Sequence, residues 1–236
     1  MSMQHGLQNG SSRQVAARTR NESAPATQAF MGSNKLTGTP MPFSRNTQIY
    51  GESEPADYLY KVVSGVIRTY RVLADGRRQI GGFYLPGDFF GLEVGDDYTF
   101  SADAIADSKV LAIKRSALTA LATHDNEVAQ LLWKLTANEL QHVQDHTLLL
   151  VETAQERVSG FLMEMAKRAL VGNQIELPMS RQDIADYLGL TIETVSRTLT
   201  HLEKTSAIEL PSSRVVVLLK RSTLNQLDGS ARYYAA

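Results

Sequence analysis

Residues 180–204 read SRQDIADYLGLTIETVSRTLTHLEK, and this stretch predicts two short helices joined by a glycine turn. Ser180 precedes the first helix and Asp183 lies three residues later, so a hydroxyl and a carboxylate can satisfy the free N–H groups of the opening turn. Gly189 can end that helix, because glycine adopts the left-handed conformation of a helix C-terminus without a Cβ penalty. Thr191 can cap the second helix. The stretch therefore predicts a helix-turn-helix.

The second helix of this pair has one apolar face and one polar face. Val195, Leu199 and Leu202 fall on a single stripe at helical spacing. Glu193 and Arg197 lie one turn apart, about 6 Å along the axis, so both can reach the same few base pairs of a DNA groove. A carboxylate accepts from cytosine N4, a guanidinium donates to guanine O6 and N7, and a short hydroxyl can touch a base edge or a thymine methyl. The alternative is an ordinary surface ion pair. The polar face comprises Glu193, Ser196, Arg197, Thr200 and Lys204.

Two apolar, β-branched runs follow the second helix and predict a hairpin. They cover residues 207–210 and 215–219, and the turn-forming sequence PSSR at 211–214 separates them. A helix-turn-helix followed by such a hairpin is typical of a winged helix. Arg214 at the tip can approach a DNA phosphate, or it can belong to an ordinary solvated turn.

The region between Gln48 and Ala117 has a different pattern, with short apolar and alternating segments separated by glycines. Asp75 and Gly76 lie between two such segments and are a strong hairpin signal. Many short strands with regular turns predict a small antiparallel barrel or roll.

These two regions together resemble the CRP/FNR superfamily of bacterial transcription regulators, over roughly residues 45–225. The segments LYKVVSGVIRTYR, DGRRQI and LPGDFFGLE are similar to its cyclic-nucleotide-binding roll, and LPMSRQDIADYLGLTIETVSR is especially similar to FixK-type regulators. The resemblance implies that Glu193, Ser196 and Arg197 read TTGAT-type half-sites. It also implies a transcription activator that contacts RNA polymerase and controls genes for microaerobic respiration or nitrogen fixation.

The remaining polar residues around the recognition helix are expected to contact the backbone of double-stranded DNA. Such contacts fix the position of a helix on the duplex without reading its sequence. The hydroxyls in this set can equally be helix caps only. The expected set comprises Ser180, Arg181, Thr191, Thr194, Thr200, Lys204 and Arg214.

Cyclic nucleotide binding is not expected of the roll. In members of the superfamily that bind cyclic AMP, a Gly-Glu pair and a later Arg-Ser pair hold the ribose and phosphate. Here Ser101 matches, but the arginine position is Phe100 and the glutamate is shifted to Glu93. An apolar ring cannot neutralise a phosphate. We therefore predict no cofactor; the alternative is a small-molecule-sensing regulator in which another ligand in the roll controls DNA binding.

The stretch from about Asn126 to Val151 lacks glycine and proline and repeats apolar residues at helical spacing. Such a long apolar stripe favours a partner helix, and the resemblance implies a parallel coiled coil. We predict a homodimer that places its recognition helices in successive major grooves about 34 Å apart, on an inverted repeat. The alternative is a helix lying across its own roll. The predicted dimerisation residues are Leu131, Leu132, Leu135, Val143, Leu149 and Leu150.

Composition limits the possible functions further. With 24 Lys and Arg against 25 Asp and Glu, the net charge is −1, so DNA affinity must come from the placement of charges. The absence of cysteine excludes a thiolate-bound iron–sulfur cluster and a thiol switch. His142 and His146 lie one helical turn apart, but no third ligand can be placed, so no metal is predicted. No catalytic constellation can be assembled, and we predict that the chain is not an enzyme.

The sequence thus predicts an α+β protein with a cyclic-nucleotide-binding-like β-roll, a long dimerisation helix and a C-terminal winged helix-turn-helix, with a hinge near residues 151–153. No segment is long and apolar enough to span a bilayer, and the N-terminus lacks the apolar core of a secretory signal, so a cytoplasmic location without membrane contact is expected. The predicted divisions are a flexible tail at 1–42, the roll at 43–122, the dimerisation helix at 123–152, the winged-helix domain at 153–228 and a C-terminal tail at 229–236.

Overall fold

The computed structural model describes residues 29, 30 and 33–227, and its element order confirms the predicted α+β architecture. The predicted C-terminal tail at 229–236 and the first 28 residues of the predicted N-terminal tail lie outside this range. Within it, no helix is both long and apolar enough to cross a membrane. The strands are β1 (Ala29–Phe30), β2 (Ser33–Thr37), β3 (Thr39–Phe43), β4 (Gln48–Tyr50), β5 (Tyr58–Ser64), β6 (Ile67–Val72), β7 (Arg78–Tyr84), β8 (Phe89–Phe90), β9 (Ser101–Ala104), β10 (Ser108–Lys114), β11 (Leu170–Val171), β12 (Gln174–Glu176), β13 (Ile208–Ser212) and β14 (Val215–Leu218). The helices are α1 (Arg115–Ala122), α2 (Asn126–Leu149), α3 (Ala154–Ala169), α4 (Arg181–Leu188), α5 (Ile192–Lys204) and α6 (Arg221–Leu227).

Two antiparallel four-stranded sheets form the β-roll. Their strand orders are β3-β10-β5-β8 and β4-β9-β6-β7, and the predicted hairpin at residues 75–76 joins β6 to β7. Aromatic rings from both sheets stack in the interior of the roll. The ring centroids of Tyr50 and Tyr98 are 3.7 Å apart, and those of Tyr60 and Phe90 are 5.1 Å apart. Burial of these large apolar rings stabilises the roll.

The roll begins earlier than the predicted boundary at residue 43. β3 pairs antiparallel with β10, and the pairing includes Pro40 and Pro42. The two prolines hide the strand pattern in the sequence, but β3 is an edge strand, and an edge strand tolerates a missing N–H donor. Residues 39–42 therefore belong to the roll and not to the tail. The strands β1 and β2 pair with each other in a separate two-stranded sheet.

The long helix α2 packs its N-terminal half on its own roll. Leu135 is 7% exposed and lies in one apolar cluster with Leu59 and Ile113 of the roll. Leu131 and Leu132 pack against the same cluster. For this half of α2, the packing agrees with the alternative of a helix lying across its own roll. Leu135 is therefore covered by its own chain, and Leu131 and Leu132 are partly covered by it, while their role in a dimer surface stays a prediction.

In the C-terminal half of α2, the predicted dimerisation residues differ in their exposure. Leu149 is 6% exposed and belongs to the core of the C-terminal half of the molecule, while Leu150 is half-buried. Val143 is 54% exposed, and Leu140 and Trp133 are 57% and 77% exposed. The most leucine-rich face of the helix is covered by its own chain. The exposed apolar stripe lies on another face, at residues 133, 140 and 143.

The C-terminal half folds as a winged helix. α3 begins with a capping box formed by Thr153 and Glu156. The sheet order is β11-β12-β14-β13, and the predicted hairpin is formed by β13 and β14 with Ser213 and Arg214 in its turn. The sequence does not predict the β11–β12 hairpin around Gly172, because strands of two or three residues carry no recognisable alternation. It also does not predict the helix α6, whose seven residues are too few for a clear helical pattern.

The roll and the winged helix are in direct contact. The ring of Phe83 on β7 lies 5.3 Å from that of Tyr187 on α4 and 6.3 Å from that of Phe161 on α3. Ile80 and Ile105 of the roll belong to the same apolar cluster as the core of the winged helix. The two halves therefore share a continuous buried surface.

Candidate nucleic-acid interface

Local capping fixes the two helices of the helix-turn-helix. The Ser180 hydroxyl accepts from the backbone N–H of Asp183 at 3.1 Å, and the Asp183 carboxylate accepts from the backbone N–H of Ser180 at 2.9 Å. Gly189 ends α4 with a φ of 62°, in the left-handed region that glycine adopts readily. The Thr191 hydroxyl accepts from the backbone N–H of Thr194 at 3.2 Å and caps α5. The predicted capping residues of both helices are confirmed.

The helix α5 is amphipathic as predicted. Val195, Leu199 and Leu202 are buried and anchor it in the core of the winged helix. The opposite face is open to solvent, so it can meet a DNA groove while the anchored face holds its orientation. The exposed polar residues of this face are Glu193, Ser196, Arg197, Thr200 and Lys204.

Glu193 and Arg197 are both available for a partner. Hydrogen bonds from its own backbone N–H and from the Thr191 hydroxyl lower the pKa of Glu193, and the charge of Arg197 lowers it further. The carboxylate is therefore ionised at neutral pH and acts as an acceptor only. In the part of the chain that the structure describes, no ion pair within 4.0 Å joins these two residues. The structure therefore does not show the alternative, a surface ion pair between Glu193 and Arg197.

Several hydroxyls of the expected phosphate set donate within the protein instead. The Ser180 hydroxyl donates to the Asp183 carboxylate at 2.8 Å, and the Thr200 hydroxyl donates to the carbonyl of Ser196 at 3.0 Å. The hydroxyls of Thr191 and Thr194 lie 3.1 Å apart and share a hydrogen bond. A hydroxyl has a single hydrogen, and a phosphate oxygen needs a donor. Ser180 and Thr200 would have to break these bonds to contact a phosphate, which favours the capping alternative for Ser180.

The cations of the expected set are in different environments. Arg181 is half-buried, burial lowers its pKa, and its Nη1 has no hydrogen-bond partner among the described residues. The guanidinium nevertheless keeps its charge at neutral pH. Lys204 is exposed at the end of α5. Arg214 donates to the carbonyl of Pro178, so its guanidinium ties the wing to the segment before α4. Arg181 and Lys204 therefore remain the better placed cations for phosphates.

In the roll, the stretch that holds a cyclic phosphate in related proteins is committed to internal contacts. The Ser101 hydroxyl accepts from the backbone N–H of Glu52 at 3.0 Å. The Glu93 carboxylate accepts from the backbone N–H and the hydroxyl of Thr99, both at 3.0 Å. Phe100, at the position of the arginine, packs next to Gly81 of β7, where a Cβ would lie 3.0 Å from its ring. No cationic side chain takes the place of that arginine among these residues.

The two histidines of α2, which lie one helical turn apart, are in different environments. His146 stacks on Tyr187 of α4, with ring centroids 4.1 Å apart and planes at 1°, and its Nε2–H donates to the Tyr187 carbonyl at 2.8 Å. Burial lowers the pKa of His146. His142 remains exposed. Within the described residues, no group of three or more potential ligands is arranged to hold a metal.

Ion pairs between the roll and α4 could not be found from the sequence. Arg68 of β6 and Arg78 of β7 both bind Asp183, at 2.7 and 2.6 Å. Asp183 was predicted only as a cap of α4. No periodicity or motif signals a partner that is more than one hundred residues away.

Comparison with known proteins agrees with this geometry. The chain matches the family described as a cyclic nucleotide-binding domain over residues 40–125 and the Crp-like helix-turn-helix domain over residues 156–227. The nitrogen fixation regulation protein FixK of Azorhizobium caulinodans is 53% identical over 197 residues, which cover 81% of this chain and 79% of that protein. FixK of Rhizobium meliloti is 38% identical over 200 residues, covering 84% and 90%. The structure of FixK2 from Bradyrhizobium japonicum has 50% sequence identity and a TM-score of 0.80, and covers 82% of this chain and 98% of that one.

Proposed function

The chain belongs to the CRP/FNR family of transcription regulators and is of the FixK type, and from this premise we propose that it binds DNA as a homodimer at TTGAT-type inverted repeats. The observation that carries the proposal is the exposed polar face of α5, whose orientation is fixed because the opposite, apolar face of the helix is fully buried. Arg197 donates bidentately to the guanine of the half-site, and the ionised Glu193 accepts from a cytosine N4. Ser196 adds discrimination at a thymine or adenine. Arg181, Lys204 and the wing supply contacts to phosphates.

The test is the affinity of the protein for a TTGAT-N4-ATCAA duplex, measured by fluorescence anisotropy. A scrambled duplex of the same length and composition is the control. Specific regulators bind their sites at least about a thousandfold more tightly than other DNA at physiological salt. We expect a difference of this order. Equal affinity for the two duplexes would reject the proposal.

The proposed dimer uses the exposed stripe of α2 rather than the predicted leucines. Trp133 and Leu140 are seven residues apart, and Val143 follows three residues later, which is the spacing of successive a and d positions in a coiled coil. All three side chains are more than half exposed in the single chain. Large apolar side chains arranged in this way favour a partner helix. A second copy of α2 would cover them across a twofold axis.

We further propose that the regulator activates genes of microaerobic respiration or nitrogen fixation, contacts RNA polymerase and acts in the cytoplasm without catalysis. The names of the similar proteins support this role, since several are nitrogen fixation regulators. A reporter gene behind the TTGAT-N4-ATCAA operator tests it in the host at low oxygen. Expression should require the regulator, and expression that is unchanged after its deletion would contradict this role.

A cavity of about 430 Å³ favours a second candidate function, in which a small molecule controls DNA binding. It lies where β7, α2 and α3 meet, away from the phosphate stretch of the roll, and its volume is within the range of ligand pockets. Glu139, whose pKa is raised by burial, and Lys167 line it with opposite charges. Native mass spectrometry of protein purified from its host tests this candidate. A bound molecule that a Lys167→Glu variant lacks would support it, and identical unliganded masses would reject it.

A further inference from the structure

The roll holds the first helix of the helix-turn-helix through two arginines. Arg68 donates through Nη1 to Asp183 at 2.7 Å and through Nη2 to Asp103 at 2.9 Å. Arg78 donates through Nη2 to Asp183 at 2.6 Å and through Nε to Asp186 at 2.8 Å. Each guanidinium therefore binds two carboxylates. We call these five residues the interdomain ion cluster.

Asp183 has two structural tasks in this cluster. Its Oδ2 accepts from the backbone N–H and the hydroxyl of Ser180, which closes the capping box of α4. Its Oδ1 accepts from both Arg68 and Arg78. One carboxylate thus begins the helix and binds it to the roll. Any movement of α4 away from the roll breaks the arginine contacts of the residue that caps it.

The cluster is largely withdrawn from solvent. The side chains of Arg68 and Asp183 are 14% and 7% exposed, and the guanidinium groups of Arg68 and Arg78 lie 5.5 and 5.9 Å from the ring of Tyr70. Charges that are buried in this way are screened little by salt, and removal of one partner leaves the other unpaired. Burial alone would raise the pKa of Asp183, but the Ser180 hydrogen bonds and the two arginines lower it, so the carboxylate is ionised at neutral pH.

Fixing α4 also fixes the recognition helix. Only residues 189–191 separate α4 from α5, and the two helices pack on each other. The ring contact between Phe83 and Tyr187 adds an apolar support beside the ion cluster. The roll in turn packs on α2, the helix of the proposed dimer. A chain of contacts therefore runs from the dimer helix through the roll to the helix that reads DNA.

We infer that Arg68 and Arg78 are positioning residues for operator binding, although neither lies on the DNA-binding face. They hold α4 at the angle that lets both recognition helices of a dimer enter successive major grooves. A single recognition helix can reach a single half-site without this constraint. The inference rests on the proposed function, because it concerns the spacing of two half-sites. It predicts that the cluster sets the ratio of full-operator to half-site affinity.

The experiment compares the affinity for the TTGAT-N4-ATCAA duplex with that for a duplex carrying one TTGAT half-site. In Arg78→Asp and in Asp186→Arg, the ratio of these affinities should fall about tenfold, within the range by which such coupling contacts act. The double variant Arg78→Asp/Asp186→Arg restores the ion pair between positions 78 and 186 with opposite polarity but not the contact with Asp183, so it should recover part of the ratio. Asp186 is suited to this exchange because it does not cap α4.

Arg77→Asp is the matched control. Arg77 lies beside Arg78, and its side chain is 77% exposed. Among the residues that the structure describes, its guanidinium pairs only with Asp75 of the same turn, so Arg77→Asp makes the same change of charge without altering a contact to α4. The ratio should stay at the wild-type value. Thermal unfolding of every variant shows whether a lower ratio comes from a displaced α4 or from a protein that does not fold. If Arg78→Asp does not fold, Arg78→Gln provides the same comparison with a smaller perturbation.

Two outcomes overturn the inference while leaving the proposed function intact. The first is a ratio in a folded Arg78→Asp or Arg78→Gln protein that equals that of the wild type. The second is a folded double variant whose ratio is as low as in the single variants. Failure of the wild type to prefer the operator over scrambled DNA would instead reject the proposed function.

Discussion

Arg181 lies at the start of α4, and its Nη1 has no hydrogen-bond partner in the part of the chain that the structure describes. A buried donor without a partner is costly, and a phosphate oxygen would satisfy it. We predict that Arg181→Ala weakens binding to specific and random duplexes by the same factor, and that the slope of log affinity against log salt becomes shallower by about one. Titrations at several salt concentrations measure both effects.

The control for this prediction is Arg221→Ala. Arg221 is an exposed arginine at the start of α6, so its removal changes the net charge equally. It should leave the salt slope close to that of the wild type. A loss in Arg181→Ala that is confined to the TTGAT duplex would show that Arg181 contributes to sequence reading, against our assignment.

The residues that the sequence could identify are those whose partners lie a few positions away. The caps at Ser180 and Thr191 and the exposed face with Glu193 and Arg197 follow from spacing within one or two helical turns. The pairing of Asp183 with Arg68 cannot be inferred from such spacing, because Arg68 lies 115 residues earlier in the chain. Which residue pairs with Asp183 depends on how the roll packs against the winged helix, and no local sequence pattern specifies that packing.

The exposed stripe of α2 predicts how the chain dimerises. An aspartate in place of Leu140 would place a charge inside the proposed coiled coil, where it is desolvated without a partner. We predict that Leu140→Asp is a monomer by light scattering at micromolar concentration, whereas the wild type is a dimer. Trp133 is the single tryptophan of the chain and is 77% exposed, so its emission should shift to longer wavelength in the monomer.

Asn138→Asp adds the same charge on another face of α2. Asn138 is exposed and two residues from Leu140, about 200° around the helix, so this variant should remain a dimer. A dimeric Leu140→Asp protein would contradict the assignment of this stripe. A monomeric Asn138→Asp protein would show that charge alone, rather than its place on the helix, prevents dimerisation.

The contact between α2 and α4 should be sensitive to pH. Burial lowers the pKa of His146 below its usual 6.5, although the Tyr187 carbonyl and Glu164 oppose this shift. The unfolded chain therefore binds the proton more readily, so stability is complete above pH 6.5 and falls as pH decreases toward the folded-state pKa. We predict a decline in the unfolding temperature between about pH 7 and pH 5.5 that is smaller in His146→Gln. Differential scanning calorimetry measures it.

The exposed His142 on the same helix provides the comparison. His142→Gln should retain the pH dependence of the wild type, because it does not remove the buried ring. Identical pH dependence in the wild type and His146→Gln would contradict the role of the stacked ring.

Short or proline-bearing elements are where prediction from the sequence fails. β3 contains two prolines, β11 has two residues, and α1 and α6 have only eight and seven. Such segments lack the periodicity on which sequence-based assignment depends. The helix α4 is equally short, but its capping residues Ser180 and Gly189 identify it. The long helices and the strands around the Asp75–Gly76 turn carry clear patterns and were predicted. For α2, periodicity identified the helix but not which apolar face its own chain covers.

The interior of the roll bears on what the whole molecule can sense. Its aromatic rings stack on one another, Phe100 replaces the phosphate-binding arginine, and Ser101 is already bonded. We predict that isothermal titration with cyclic AMP gives no binding and that operator affinity is unchanged by the nucleotide. Micromolar affinity for cyclic AMP would contradict this prediction.

The packing of the roll against the winged helix is the feature of the whole molecule that the sequence could not provide. The predicted break near residues 151–153 matches the end of α2 and the cap of α3. The sequence does not show that Phe83 and the interdomain ion cluster bind the two halves on either side of this break. Domain boundaries follow from local signals, whereas domain orientation follows from contacts between distant residues.

The most direct test of base reading by α5 is a double-mutant cycle between Arg197 and the guanine of the half-site. Affinities of the wild type and Arg197→Ala are measured for TTGAT-N4-ATCAA and for the duplex with that G·C pair replaced by A·T in both half-sites. We predict that each half-site contact contributes about 1–3 kcal/mol of coupling, so that Arg197→Ala no longer distinguishes the two duplexes. Undiminished discrimination in Arg197→Ala, or an equal loss on operator and random DNA, would contradict the account.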